Sequence, residues 1–134
     1  MKIYLAGRYG RRVELLKYAA ALNASWHGVT SRWLRGAHEA KDATLTEAEA
    51  AGWAKYDLED IDTADAVIAF TEAPDNPHGR GGRHVELGYA IAKDKRILVV
   101  GHRENIFCNL PEVLFFDSFS KLAFYINSED PIIA

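Results

Sequence analysis

The sequence has little that would support a disulfide-bonded, membrane-spanning or strongly charged protein. Cysteine occurs once in 134 residues, at Cys108, so no disulfide can form within the chain and a reducing compartment is expected. No apolar run approaches the length of a transmembrane helix, and the short apolar start at residues 1–6 is unlike a signal peptide. The formal net charge is only -3, which argues against a general nucleic-acid binder. We therefore expect a cytoplasmic protein with no membrane or nucleic-acid partner.

Several common ligand-binding motifs are missing as well. Gly79 and Gly81 lack the third glycine of a dinucleotide fingerprint, because His84 stands in its place. No Gly-Lys-Ser or Gly-Lys-Thr follows a glycine-rich loop, which excludes a P-loop. The five histidines do not have metal-ligand spacing with Cys108 or with acidic residues. We therefore expect no metal and no cofactor, and we interpret Cys108 as a small buried apolar residue.

The residues that are present are typical of one globular domain, which we place over residues 1–134. Apolar residues make up 49% of the chain and charged residues 26%. Continuous apolar runs alternate with segments of helical spacing, a pattern typical of a parallel sheet covered on both faces. The predicted strands are 3–6, 26–30, 66–70, 96–101 and 111–116. The predicted helices are 11–22, a segment ending near Ile61, one from the glycine loop to Lys93, and 119–126.

The helical spacing also predicts which side chains are buried. In the first helix these are Val13, Leu15, Leu16, Ala20 and Leu22; in the second they are Ala50, Trp53, Tyr56, Leu58 and Ile61. We expect Thr44 or Thr46 to cap the second helix, with Glu47 or Glu49 completing a capping box. Residues 36–43 have no usable pattern and are predicted to form a loop. Trp26, Trp33 and Trp53 are predicted to lie in the core.

The most informative stretch is 79–90, which follows the apolar run at 66–70. A glycine-rich turn between strand and helix lets the backbone approach a ligand and directs free N–H groups toward it. Glu86 is predicted in the first turn of that helix, where the helix dipole favours an ionised carboxylate. Such a carboxylate can act as a nucleophile, or it can simply stabilise its helix. Since ligands of such sheets bind beyond the carboxyl ends of the strands, we expect the site among loops 7–12, 71–83 and 101–109.

Four pieces of the sequence carry a resemblance to a known family. They are Ile3-Tyr4, Asp57-Leu58-x-x-Ile61-x-x-x-Asp65, Glu86-Leu87-Gly88-Tyr89-Ala90 and, more weakly, Asn109-Leu110. With them the chain resembles the nucleoside 2-deoxyribosyltransferases and the related deoxynucleoside 5′-monophosphate N-glycosidases. The resemblance covers most of the chain up to residue 110. It implies an α/β fold: a flavodoxin-like (doubly wound) three-layer sandwich with a mainly parallel five-stranded sheet.

The resemblance also implies a role for each matching residue. Glu86 would attack the anomeric carbon of a nucleoside, Tyr4 would orient its carboxylate, and Asp57 would act as a proton donor or orienting group. Asn109 would bind the 5′ end of the sugar, commonly in the site of a neighbouring subunit, which predicts a homo-oligomer. The candidate substrate-binding residues in the ligand-edge loops are Gly7, Arg8, Gly81, Gly82 and Arg83.

The loop before Glu86 departs from the family pattern, which often has an acidic residue there. Here the loop carries Arg80, Arg83 and His84, and arginine beside helix N–H groups suits a phosphate. Three hypotheses therefore stay open: a transferase acting on a nucleoside and a free nucleobase, a hydrolase of nucleoside 5′-monophosphates, and a catalytically silent nucleotide-binding domain. Each residue also has a purely structural alternative, such as a core position for Tyr4, a solvated helix face for Asp57, or surface charge for the arginines.

Overall fold

The computed structural model describes residues 1–35, 45–76 and 79–129, and within them a single sheet is flanked by helices. The strands are β1 (Lys2–Ala6), β2 (Gly28–Val29), β3 (Ala66–Phe70), β4 (Arg96–Val100) and β5 (Val113–Phe116). The α-helices are α1 (Arg12–Ala24), α2 (Glu47–Asp62), α3 (Gly82–Ala92) and α4 (Phe119–Ser128). Short 3-10 helices occur at Tyr9–Arg11, Arg32–Arg35 and Ile106–Asn109.

The sheet has the strand order β2-β1-β3-β4-β5, and all the pairings are parallel. This is the order of the flavodoxin-like doubly wound sheet, which confirms the predicted fold class. Tyr4 of β1 lies opposite Val67 of β3, and Ile68 lies opposite Leu98 of β4. Because parallel crossovers are right-handed, α1 covers one face of the sheet and α2 and α3 cover the other. The polar loops therefore gather at the carboxyl ends of β1, β3 and β4.

The core follows from the apolar strands. Every residue of β3 is buried, as are Ile3 to Ala6 of β1 and Ile97 to Val100 of β4. Strands that are covered on both faces have no solvent side, so their sequences are continuously apolar. On the face of α1, the rings of Tyr18, Phe70 and Phe119 pack against one another and join α1, β3 and α4. Cys108 is buried, as predicted.

The predicted buried faces of the first two helices are partly wrong. In α1 the buried residues are Leu15, Ala19 and Leu22, whereas Val13 and Ala20 are exposed. Both sets have helical spacing, and the sheet selects the one that faces it. In α2 the buried residues are Asp60 and Ile61, while Leu58 packs at the edge of the core. The first half of that helix is largely solvated, so Ala50 and Tyr56 are exposed.

Two further predictions around β2 need correction. The strand is only Gly28–Val29, much shorter than 26–30, because it pairs with β1 at two positions only. Trp26 is 93% exposed and lies in the left-handed region at φ 70, in the turn that ends α1, so it does not lie in the core. Trp33, in contrast, is buried and donates its indole N–H to the carbonyl of Leu5 at 2.9 Å.

The start of α2 is as predicted. Thr46 caps the helix, its hydroxyl accepting from the Glu49 N–H, and the Glu49 side chain accepts from the Thr46 N–H. This is the predicted capping box with the second of the two candidate threonines. The alternative cap, Thr44, and the predicted loop at 36–43 lie outside the described residues. Among the described residues, no helix is both long enough and apolar enough to cross a membrane.

Candidate active site

The centre of the candidate site is a hydrogen bond between Tyr4 and Glu86. Tyr4 is fully buried in the middle of β1, and its hydroxyl donates to Oε2 of Glu86. The two residues are 82 positions apart in sequence, and the packing of α3 on β1 brings them together. A tyrosine hydroxyl that donates to one carboxylate oxygen fixes the orientation of the carboxylate and leaves the other oxygen available for a reacting atom.

Glu86 lies in the second turn of α3, since the helix begins at Gly82 and its first turn contains no acidic residue. The predicted first-turn position is therefore wrong, and the helix dipole is not the main influence on this carboxylate. Burial raises the pKa of Glu86 from 4.5 to about 8, while the hydrogen bond from Tyr4 lowers it and the charge of Asp57 raises it. The folded chain thus holds a carboxyl group that binds a proton in the neutral range.

Asp57 is the third member of this group and lies on α2, which packs against α3. The pKa of Asp57 is raised from 3.8 to about 7, mainly by burial and also by the charge of Asp60, while the charge of Arg32 lowers it. The charge of Asp57 raises the pKa of both Glu86 and Tyr4, so the three groups interact electrostatically. Because the two carboxyl groups interact, their protons leave in two steps that belong to the pair. The two carboxyl groups can therefore exist in a state in which one is protonated and the other is ionised.

The glycines of the loop shape the start of α3. Gly81 is the N-cap residue at φ 89, a left-handed conformation that residues with a side chain rarely adopt. No side chain caps the helix at Gly81, and an added Cβ at Gly82 would meet nothing within 4 Å. Gly7 has a different role: a Cβ there would lie 2.9 Å from Cδ2 of Leu15, so the loop after β1 packs closely on α1.

The arginines of the ligand-edge loops are held by acidic side chains. Nε of Arg8 donates to Glu72 at 3.2 Å, and Nη1 of Arg11 donates to the same carboxylate at 2.9 Å. Arg83 makes two bonds to Glu104, at 2.5 and 2.7 Å. These pairs join the loop after β1 to the loop after β3, and the start of α3 to the loop after β4. The sequence analysis missed both carboxylates as arginine partners, because each partner comes from a separate loop.

Asn109 lies exposed at the end of the 3-10 helix Ile106–Asn109. The side chain of Asn105, not that of Asn109, caps this short helix by accepting from the N–H of Phe107. Ile106 and Phe107 beside it are 78% and 56% exposed. Asn109 therefore does not cap this helix, and it lies on a surface segment with apolar neighbours.

A narrow cleft at the carboxyl ends of β1 and β3 lies next to the Arg83–Glu104 pair. It is lined by residues of β1, β3, α3 and the loop after β4, among them Ala6, Phe70, Leu87 and Cys108. The cleft lies at the edge at which ligands of doubly wound sheets bind, and Tyr4, Asp57 and Glu86 are not among the residues that line it. Within residues 1–35, 45–76 and 79–129, no group of three or more His, Cys, Asp or Glu side chains could hold a metal ion.

Comparison with solved structures supports the fold assignment. A 2-deoxyribosyltransferase from the psychrotolerant bacterium Bacillus psychrosaccharolyticus aligns with a TM-score of 0.69 and 22% identity, over 99% of this chain and 95% of that one. The Clostridium botulinum CMP N-glycosidase BcmB aligns with a TM-score of 0.53 and 18% identity, over 96% and 99% of the two chains. No protein-family model and no curated protein matches the chain. At these identities the two alignments confirm the fold and nothing finer.

Proposed function

We propose that this protein cleaves the N-glycosidic bond of a deoxynucleoside and transfers the deoxyribosyl group to another nucleobase, with Glu86 as the nucleophile. The observation that carries the proposal is the hydrogen bond from the buried Tyr4 to Glu86, whose carboxyl group also interacts electrostatically with that of Asp57. An oriented carboxylate and a second carboxyl group are what capture and protonation at a glycosidic centre require. Both solved relatives are named as enzymes that act on nucleosides or nucleotides, which agrees with this proposal.

The carboxyl groups of Glu86 and Asp57 are sufficient for every bond change and proton transfer in the proposed reaction. An Oε atom of ionised Glu86 attacks C1′ of the sugar as the bond from C1′ to the base nitrogen breaks, and Asp57 gives its proton to the departing base. The product is a glycosyl ester on Glu86. A second base then attacks C1′ and returns its proton to Asp57, and the ester bond breaks to release Glu86 as a carboxylate. If water replaces the second base, the same steps give hydrolysis.

The arrangement of the arginines favours a nucleoside over a nucleoside 5′-monophosphate. Arg8 and Arg83 are both held by carboxylates, Glu72 and Glu104. A phosphate at Arg83 would have to compete with Glu104, and breaking such a largely buried ion pair costs several kcal/mol, whereas Glu72 would keep Arg11 if a phosphate took Arg8. Hydrolysis of a 5′-monophosphate is therefore the second candidate function. A catalytically silent binding domain is the third.

We also propose that the protein works as a homo-oligomer in which Asn109 reaches the site of a neighbouring copy. Asn109 is exposed beside the exposed Ile106 and Phe107, and apolar side chains on a short surface helix are suited to burial against a second copy. In this arrangement the Asn109 amide would contact the 5′ hydroxyl of the sugar.

The test is chromatography of a mixture that contains the purified protein, a deoxynucleoside and a different free base. The proposal predicts a new deoxynucleoside that carries the added base, with a slower reaction when the donor is the 5′-monophosphate. Glu86→Gln should abolish the exchange, whereas Glu112→Gln, which changes an exposed glutamate, should not. Release of free base chiefly from the monophosphate would favour the hydrolase, and no change in either mixture would leave the binding domain.

A further inference from the structure

Asp60 is a buried carboxylate that lies one helical turn after Asp57 on α2 and has no part in the reaction described above. Its side chain is 8% exposed. The backbone N–H of Arg32 donates to Oδ2 at 3.0 Å, and Nε of the same residue donates to Oδ1 at 2.9 Å. The hydroxyl of Thr30 donates to the Asp60 carbonyl at 2.8 Å. Asp60 thus connects the end of α2, through these hydrogen bonds, to the segment that follows β2.

Asp60 also carries a negative charge close to the candidate acid. Residues three apart on a helix are neighbours, so the carboxyl groups of Asp57 and Asp60 lie on one side of α2. The charge of Asp60 acts on Asp57 more strongly than the opposing charge of Arg32. Arg32 is about half exposed, so solvent screens its charge, whereas Asp60 is buried. The net electrostatic effect of Asp60 and Arg32 is therefore to disfavour ionisation of Asp57.

Tyr4 on β1 and Glu86 on α3 also interact electrostatically with Asp57. The effect of Asp60 extends to Asp57 and Tyr4, but Glu86 is influenced by Tyr4 and Asp57 instead. Asp60 thus acts on one carboxyl group of the site and brings the pKa of Asp57 closer to that of Glu86. Its charge disfavours ionisation of Asp57, and the hydroxyl of Tyr4 favours ionisation of Glu86 by donating to it.

We propose that Asp60, held in place by Arg32, is a positioning residue that favours the proton on Asp57 and so increases the share of the carboxyl pair in which Glu86 carries the charge. This inference rests on the proposed function, because that distribution is the one in which Glu86 attacks C1′ while Asp57 protonates the departing base. No group other than the two carboxyls gains or loses a proton in this assignment.

The test compares Asp60→Asn with Glu59→Gln. Both changes remove one negative charge from α2 next to Arg32, but the Glu59 side chain is 54% exposed. The first readout is the midpoint of the Asp57 carboxyl in the free protein, followed by 13C NMR and assigned with Asp57→Asn. We expect Asp60→Asn to lower that midpoint by about one pH unit, as loss of a nearby like charge does. We expect Glu59→Gln to leave it nearly unchanged.

A second variant covers the case in which Asp60→Asn does not fold. The double change Arg32→Gln with Asp60→Asn removes both charges and allows an amide pair to form, and it should also lower the midpoint, though by less. In the kcat/KM profile, the alkaline limb should move to lower pH in both variants. An unchanged Asp57 midpoint, or an equal shift in Glu59→Gln, would overturn the inference. If no deoxynucleoside reacts at all, the proposed function fails, while the NMR midpoint still decides the role of Asp60.

Discussion

Glu86→Gln should stabilise the folded protein at neutral and alkaline pH, because Glu86 is a buried acid that folding makes harder to ionise. The pKa of Glu86 rises from 4.5 in an ordinary glutamate to about 8 in the folded chain. Each pH unit of that rise corresponds to about 1.4 kcal/mol, so full ionisation of Glu86 costs the folded state about 5 kcal/mol. Glutamine has nearly the same shape, can accept from Tyr4 and does not ionise.

The sign follows from proton binding. Between pH 4.5 and about 8 the folded protein holds the Glu86 proton and the unfolded chain has released it, so stability falls as the pH rises. The stabilising contribution of the Glu86 proton is fully present below pH 4.5, the pKa in the unfolded chain. It is lost as the pH passes through about 8, the pKa in the folded chain. From pH 5 to pH 8 the loss in the free energy of unfolding is on the order of 3 to 4 kcal/mol for this group. The Glu86→Gln variant lacks that loss.

The assay is urea denaturation of the wild type, Glu86→Gln and the control Glu112→Gln at several pH values from 5 to 8, at constant ionic strength. The free energy of unfolding of Glu86→Gln minus that of the wild type should grow by several kcal/mol, on the order of 3 to 4, across this range. Glu112→Gln should follow the wild type, since Glu112 is exposed. A growth of less than about 1 kcal/mol, close to the error of extrapolated values, would refute the reasoning.

Three further predictions concern activity. The pH profile of kcat/KM should be bell-shaped, with its maximum between the pKa of Asp57, about 7, and the pKa of Glu86, about 8. Asp57→Asn should remove the alkaline limb of this profile. A wild-type profile that is flat from pH 6 to 9 would contradict the prediction. Tyr4→Phe should move the acid limb to higher pH, because its hydroxyl lowers the pKa of Glu86, and an unmoved limb would exclude that role. Mixing inactive Glu86→Gln with inactive Asn109→Ala should, if two copies share sites, restore about a quarter of wild-type exchange, whereas no recovery after subunit exchange would place each site within one copy.

Much of the fold could be predicted from the sequence because buried parallel strands have continuous apolar runs. Residues 66–70 were placed to the residue in this way, and the polar capping box identified the start of α2. The buried face of α1 could not be chosen, because Val13, Leu16 and Ala20 have the same helical period as Leu15, Ala19 and Leu22. Only the position of the sheet decides between them.

The candidate site, like the fold, could be predicted from the sequence only in part. The run that begins at Glu86 identified the residue, and the pieces around Tyr4 and Asp57 identified its neighbours. Their environment could not be predicted, because the burial that raises the pKa of Glu86 depends on β1 and α2, far away in sequence. The dipole argument from the local sequence gave the opposite direction for this reason. The partners of Arg8 and Arg83 are likewise long-range contacts with no local signal.

The central claim, that Glu86 forms a bond to C1′, is tested most directly by mass spectrometry. The protein is mixed with a deoxynucleoside in the absence of an acceptor base, quenched with acid within the first turnover and digested. The account predicts a deoxyribosyl adduct on the peptide that contains Glu86, absent from Glu86→Gln and reduced when an acceptor base is present. Base exchange without any adduct on that peptide, or an adduct that persists in Glu86→Gln, would contradict it.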